Sequence, residues 1–77
     1  MSNWRNDPAT DAQISLIQSQ MCHLHYYRDL SKIREDVKTK GQASIALDRL
    51  NDLRMTGVWF ASNDQIKSVF AGLGGRN

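Results

Sequence analysis

The sequence has few of the features that mark small secreted proteins or membrane proteins. It contains one cysteine, Cys22, and its longest apolar run is the four residues 58–61. A single cysteine excludes an internal disulfide framework and fits a reducing compartment. No run approaches the roughly 20 apolar residues of a membrane span, or the apolar stretch of a signal peptide. We therefore expect a cytoplasmic protein that does not associate with membranes.

An excess of charge of one sign is also missing. Ten Lys and Arg against eight Asp and Glu give a formal net charge of +2, which excludes a strong overall attraction to nucleic acid. The bias is local, because residues 28–40 hold five basic and three acidic side chains. This segment is predicted to be the most basic part of the surface.

Length and composition limit the size of the core. A chain of 77 residues favours one domain, 1–77, with a thin core. An apolar content of 40% and a charged content of 23% are ordinary for a globular domain, so disorder along the whole chain is not expected. Residues 1–8 and 72–77 are expected to be loose tails.

Nearly the same short pattern occurs three times along the chain. In each case a Ser or Thr is followed three residues later by Gln, which is the spacing of a capping box. The three pairs are Thr10 with Gln13, Thr39 with Gln42, and Ser62 with Gln65. Since each capping box satisfies backbone N–H groups at the start of a helix, the pattern predicts at least three helices.

Apolar spacing extends these three starts into helices. The first is predicted from Asp11 to about Tyr27, the second from about Lys40 to Met55 with Gly57 ending it, and the third from Asn63 to Ala71. Residues 29–37 form either a separate short helix or a continuation of the first, and we favour a break at 29–31. The expected fold is an all-α bundle of three to four short helices. The apolar residues 58–60 are expected to plug the end of its core.

Two stretches resemble known families. WRNDPATDAQISLIQ, residues 4–18, and TKGQASIALDRL, residues 39–50, resemble short, mostly uncharacterised phage and bacterial helical proteins with a PAT-x-x-Q opening and a TKG-x-AS helix. If the protein is phage-encoded, as this resemblance implies, its expected location is the cytoplasm of the host cell.

The second stretch is also similar to the second helix of SAP-type helix–extension–helix modules. That family generally binds DNA, which implies DNA contacts for Lys38, Lys40 and Arg49. The chain departs from the family because it lacks the Gly-Leu extension, and residues 28–37 have no clear counterpart of the first SAP helix.

Residues typical of metal sites or catalysis are present but poorly spaced. Cys22, His23 and His25 are three metal-ligand types, yet neighbouring residues of a helix point about 100° apart, and the chain has no further Cys or His. We expect no metal site within one chain, while a site shared between subunits stays open. A thin helical bundle also offers little room for a catalytic cleft, so we expect no cofactor and no enzymatic activity.

Nucleic acid is the first predicted partner. A helix that begins at Thr39 presents free N–H groups to a phosphate, and a glycine in its first turn allows close approach. A well-capped helix with flanking lysines explains the same pattern without a ligand. The predicted nucleic-acid-binding residues are Arg28, Lys32, Arg34, Lys38, Lys40, Gly41 and Arg49.

Another protein is the alternative partner. Helical spacing places Ile45 away from the buried stripe, and a small domain with more apolar surface than it can bury often shares that surface with a partner or a second copy. The predicted interaction residues are Ile45, Trp59, Phe60, Tyr26 and Tyr27, of which the tyrosines can also stack on bases. A phage inhibitor or adaptor of a host enzyme would act in this way. The local basic bias and the SAP-like helix narrowly favour nucleic acid.

Overall fold

The structure is a computed structural model that describes residues 7–73. It contains four helices: α1 (Asp11–His23), α2 (Leu30–Asp36), α3 (Lys40–Met55) and α4 (Asn63–Phe70). Within the described range there is no β-strand, only an isolated antiparallel bridge. The predicted all-α bundle of three to four short helices is confirmed.

All three predicted capping boxes are present. In each one the Gln backbone N–H donates to the Ser or Thr side-chain oxygen, and the Gln Oε1 accepts from the cap residue's N–H. The nitrogen–oxygen distances lie between 2.8 and 3.2 Å for Thr10 with Gln13, Thr39 with Gln42, and Ser62 with Gln65. Helix α2 begins differently, because its N-cap residue Asp29 makes no side-chain capping bond.

A separate helix lies within residues 29–37, as favoured from the sequence, but the break before it spans residues 24–29 rather than 29–31. Helix α2 follows the extended residue Asp29, and Ile33 and Val37 are buried against the rest of the bundle. The prediction that α1 reaches Tyr27 is wrong, because α1 ends at His23. The sequence has no Gly or Pro at this turn from which the end of the helix could be predicted.

Helix α1 ends in a Schellman motif, in which two backbone N–H groups bond to carbonyls of the last turn. The His25 N–H donates to the Cys22 oxygen at 2.9 Å, and the Tyr26 N–H donates to the Met21 oxygen at 3.0 Å. His25 occupies the left-handed position of the motif, with φ of +59°.

Helix α3 ends in the same motif with the expected glycine. The Gly57 N–H donates to the Arg54 oxygen and the Val58 N–H to the Leu53 oxygen, both at 3.1 Å. Gly57 has φ of +90°, which glycine adopts without strain. The prediction that Gly57 ends this helix is confirmed.

Helix α1 packs against α2 and α3, α4 packs against α3, and all four helices contribute to one core. No polar or charged residue is buried within residues 7–73. The buried apolar residues are Ile14, Ile17, Met21, Leu24, Ile33, Val37, Ala43, Ala46, Leu50, Ile66, Val69, Phe70 and Leu73.

The inner ends of the two predicted tails contact the bundle. The Asp7 carbonyl accepts from the Lys40 N–H at 2.8 Å, Pro8 forms the isolated bridge with Thr39, and Leu73 is buried. The rest of the predicted tails, residues 1–6 and 74–77, lies outside the described residues. Among the described helices, none has the length and apolar character needed to cross a membrane.

Candidate functional site

The basic segment is largely engaged with the chain's own acids. Arg28 Nη1 lies 2.7 Å from Asp36 Oδ2, and the guanidinium of this half-buried residue lies 5.0 Å from the Phe70 ring centroid. Arg34 pairs with Asp11 at the first turn of α1. These two arginines therefore link α2 and the turn before it to the bundle.

Two of the predicted lysines, one within α2 and one just after it, are more accessible. Lys32 and Lys38 are exposed and form no ion pair with another described residue. Lys40 is half-buried, with its Nζ 3.9 Å from Asp7 Oδ2. Positive charge in this segment is thus partly neutralised and partly available to a ligand.

Arg49, a predicted nucleic-acid contact, does not extend into open solvent. Its half-buried side chain turns toward the end of α4, where Nη1 approaches the carbonyl oxygens of Ser68 at 3.2 Å, Val69 at 3.1 Å and Ala71 at 2.8 Å. Carbonyls at the end of a helix lack backbone donors, and a cation there also complements the helix dipole. Arg49 therefore stabilises the end of α4.

The start of α3 is covered by the chain itself. The Lys40 N–H donates to the Asp7 carbonyl at 2.8 Å, the Gln42 N–H donates to Thr39 Oγ1 at 3.2 Å, and Gly41 is buried. In addition, the Ala9 N–H donates to the Lys38 oxygen at 3.1 Å. These contacts do not favour phosphate binding at this terminus, because the Lys40 and Gln42 N–H groups have internal partners and Gly41 is buried.

The apolar candidates divide into supported and exposed side chains. Tyr26 is half-buried and packs against the core. Tyr27 is exposed. Hydrogen bonding with the Asp29 carboxylate raises the pKa of its phenol, and the negative charge of that carboxylate raises this pKa further. Ile45 is 41% exposed, which agrees with the half-exposed position expected from its helical phase.

The connector between α3 and α4 does not plug the core, as residues 58–60 were expected to do. Val58 is half-buried against the core, but Trp59 is 74% exposed and Phe60 is 72% exposed. Just before them, Met55 at the end of α3 is 78% exposed. The turn at Gly57 directs the chain so that only Val58 reaches inward. We call residues 57–60 the aromatic loop.

Three contacts with the end of α1 hold the aromatic loop. His25 Nδ1 lies 2.9 Å from the Trp59 carbonyl oxygen, and the imidazole stacks on the Phe60 ring with centroids 4.2 Å apart and planes at 23°. The Ala61 N–H donates to the Leu24 carbonyl at 3.0 Å. The Trp59 backbone and the Phe60 ring are thus held by these contacts rather than by burial.

The hydrogen bond to Trp59 determines which His25 nitrogen carries a proton. A carbonyl oxygen only accepts, so Nδ1 must be the donor, and in the neutral ring Nε2 is then the acceptor. This contact and the Phe60 stack hold His25 at a positive φ, a conformation that is uncommon outside glycine. No sequence pattern indicated this role, because glycine is the residue that predicts such a position.

A cleft opens beside the aromatic loop, between the ends of α1 and α3. Its volume is about 270 Å³, and it is lined by His23, Arg54, Gly57, Val58 and Trp59. Arg54 Nη1 donates to Gln20 Oε1 at 2.6 Å, which holds the guanidinium between the two helices. The cleft offers one apolar wall and two groups able to donate to a ligand.

The metal-ligand types do not converge. Cys22, His23 and His25 are all exposed. Within residues 7–73, no three Cys, His, Asp or Glu side chains are placed to hold a metal ion.

Comparison with protein-family models, curated proteins and solved structures finds no match to the chain.

Proposed function

We propose that the protein is a non-catalytic binding module that recognises another protein through the aromatic loop. The observation that carries this proposal is the exposure of Trp59 and Phe60, at 74% and 72%, in a loop that is nonetheless fixed by His25 and by main-chain hydrogen bonds. Large aromatic side chains of this kind dominate the energetics of protein interfaces.

Rigidity strengthens the proposal. Ordering a mobile loop on binding costs conformational freedom, which offsets part of the gain from an aromatic contact. Here the Trp59 carbonyl and the Phe60 ring already have partners on the end of α1, so the loop backbone and the Phe60 ring are ordered on folding. The resemblance to phage proteins supports a partner in the host cytoplasm. This protein would then be an inhibitor or adaptor that binds a host protein.

A selection from a random peptide display library tests the proposal. The folded protein is the target, and each enriched peptide is then measured against Trp59→Ala, Phe60→Ala and a matched control, Leu16→Ala. Leu16 is 48% exposed on α1, so its truncation removes a surface apolar side chain outside the loop.

We expect each loop substitution to weaken peptide binding by about 2 kcal/mol or more, and Leu16→Ala to have little effect. Equal binding by wild type and both loop variants would place recognition elsewhere on the molecule. Circular dichroism of each variant separates lost binding from lost folding.

Nucleic acid is the second candidate, favoured by the exposure of Lys32 and Lys38. Of its seven predicted residues, Arg28, Arg34, Lys40 and Arg49 have internal partners and Gly41 is buried. The test is anisotropy of labelled DNA and RNA at low and physiological salt, comparing wild type with Lys32→Glu/Lys38→Glu. This function requires binding that weakens with salt and is lost in the double variant.

A further inference from the structure

We infer that the partner presents an acidic apolar segment, whose apolar side chain enters the cleft beside Trp59 and whose neighbouring carboxylate pairs with Arg54. This inference rests on the proposed function, since it assigns a chemical class to the partner of the aromatic loop.

Arg54 differs from the other described arginines in the partner of its charge. Among the arginines of residues 7–73, Arg28 and Arg34 pair with carboxylates, and Arg49 is surrounded by three backbone carbonyls. Arg54 has only the neutral amide oxygen of Gln20 as a described partner. A guanidinium has five N–H donors in a planar fork, so one such bond leaves donors suited to a carboxylate.

The lining of the cleft fits the same chemistry. It contains the basic side chain of Arg54, the imidazole of His23 and the apolar surfaces of Val58 and Trp59, and none of its lining residues is acidic. Its volume of about 270 Å³ lies just below the roughly 300–1,000 Å³ of small-molecule sites. It is therefore suited to one or two side chains of a partner.

Two other occupants fit less well. In a two-fold dimer through this surface, a second copy would bring its own Arg54 and His23 to the interface, placing like groups together. A nucleic acid needs several cations along its backbone, whereas the cleft supplies one guanidinium and the other described arginines are paired or cap α4. An acidic protein segment needs only the one ion pair and the apolar wall.

The inference is tested by intrinsic tryptophan fluorescence in a Trp4→Phe background, which leaves Trp59 as the reporter. One probe is a short acidic peptide in which Asp and Glu flank a Leu and a Phe, and the matched probe replaces each acid by its amide. Both are titrated into the background protein, Arg54→Gln and the control Lys67→Gln. Lys67 lies exposed on α4, so its substitution removes the same charge away from the cleft.

We expect the acidic probe to bind about three to ten times more tightly than the amide probe. This preference should disappear in Arg54→Gln and persist in Lys67→Gln. Equal binding of the two probes, a preference that survives Arg54→Gln, or no binding of either probe overturns the inference.

The outcomes separate the inference from the proposed function. If library-selected peptides depend on Trp59 but show no preference for acids, the loop is a docking surface and the acidic partner is wrong. If no selected peptide depends on Trp59 or Phe60, the proposed function fails as well. A short oligothymidylate that binds more tightly than the acidic peptide, and loses affinity in Arg54→Gln, would assign the cleft to nucleic acid.

Discussion

His25 adopts a backbone conformation that usually belongs to glycine. Its φ of +59° closes the Schellman motif of α1, as Gly57 does for α3 with φ of +90°. A left-handed conformation costs a residue with a Cβ roughly 1–2 kcal/mol. Its side chain offsets that cost by binding the Trp59 carbonyl and stacking on Phe60. His25 thus has a strained backbone and also makes two of the contacts that hold the aromatic loop.

Two substitutions separate the strain at His25 from its contacts. His25→Ala and His25→Gly both remove the imidazole, but only alanine retains the strained Cβ. We expect His25→Ala to be less stable than His25→Gly by about 1 kcal/mol in chemical denaturation. Equal stabilities would show that the chain does not hold position 25 in the left-handed region.

Arg49 shows why a surface position cannot be assigned from helical phase alone. Phase placed its Cα outward, but the long side chain reaches back to α4, where three carbonyls converge on Nη1. That destination depends on tertiary packing of α4 against α3, which no local pattern records.

Replacing Arg49 therefore has a stability cost. Arg49→Gln should lower the free energy of unfolding by about 1–2 kcal/mol, since it removes charged bonds to the α4 carbonyls. Arg54→Gln is the matched control, with an expected loss below about 0.5 kcal/mol for an exposed side chain. Urea denaturation of both variants measures the difference. Similar values would contradict the capping role of Arg49.

Helix beginnings were easier to predict than helix ends. The Ser/Thr-x-x-Gln spacing is a local contact, so the sequence alone located the starts of α1, α3 and α4. The end of α3 was predictable because Gly57 is specialised for that geometry. The end of α1 was not, because His25 takes the same position only with help from Trp59 and Phe60, which lie far away in sequence.

The capping boxes should differ in strength according to burial. Thr39 and Gln42 bond in a partly buried position, whereas the bonds between Thr10 and Gln13 are exposed. An unpaired donor costs more where water cannot replace the lost acceptor. We expect Thr39→Ala to lower the free energy of unfolding by about 1–2 kcal/mol, and Thr10→Ala by about half as much. A larger effect at Thr10, measured by urea denaturation, would contradict this ranking.

The division of apolar residues between core and surface is set by the whole bundle. Helical periodicity predicts an inward face on α1 and on α3. The α1 residues Ile14, Ile17, Met21 and Leu24 are buried, as are Ala43, Ala46 and Leu50 of α3, but Leu47 and Leu53 are only partly buried. Periodicity could not predict whether residues 58–60 are buried or exposed, since a short connector has no period and its direction depends on the turn at Gly57. The candidate site was therefore only half predictable: Trp59 and Phe60 were identified as contact residues, but His25 and the cleft with Arg54 were not.

Substitutions of buried apolar residues should lower the free energy of unfolding more than substitutions of exposed ones. Trp59→Ala is expected to change the free energy of unfolding by less than about 0.5 kcal/mol, because the side chain is 74% exposed. Leu50→Ala, in the centre of α3 and fully buried, should cost about 2–5 kcal/mol. Thermal or urea unfolding of both variants gives the comparison, and a large loss in Trp59→Ala would indicate that the loop packs into the core.

The role of the aromatic loop is tested most directly by the affinity of a library-selected peptide for wild type, Trp59→Ala and Leu16→Ala, measured by titration calorimetry on folded protein. We expect Trp59→Ala to weaken binding by about thirtyfold or more and Leu16→Ala to leave it unchanged. If Trp59→Ala binds the peptide as tightly as wild type, the aromatic loop is not the surface through which this protein acts.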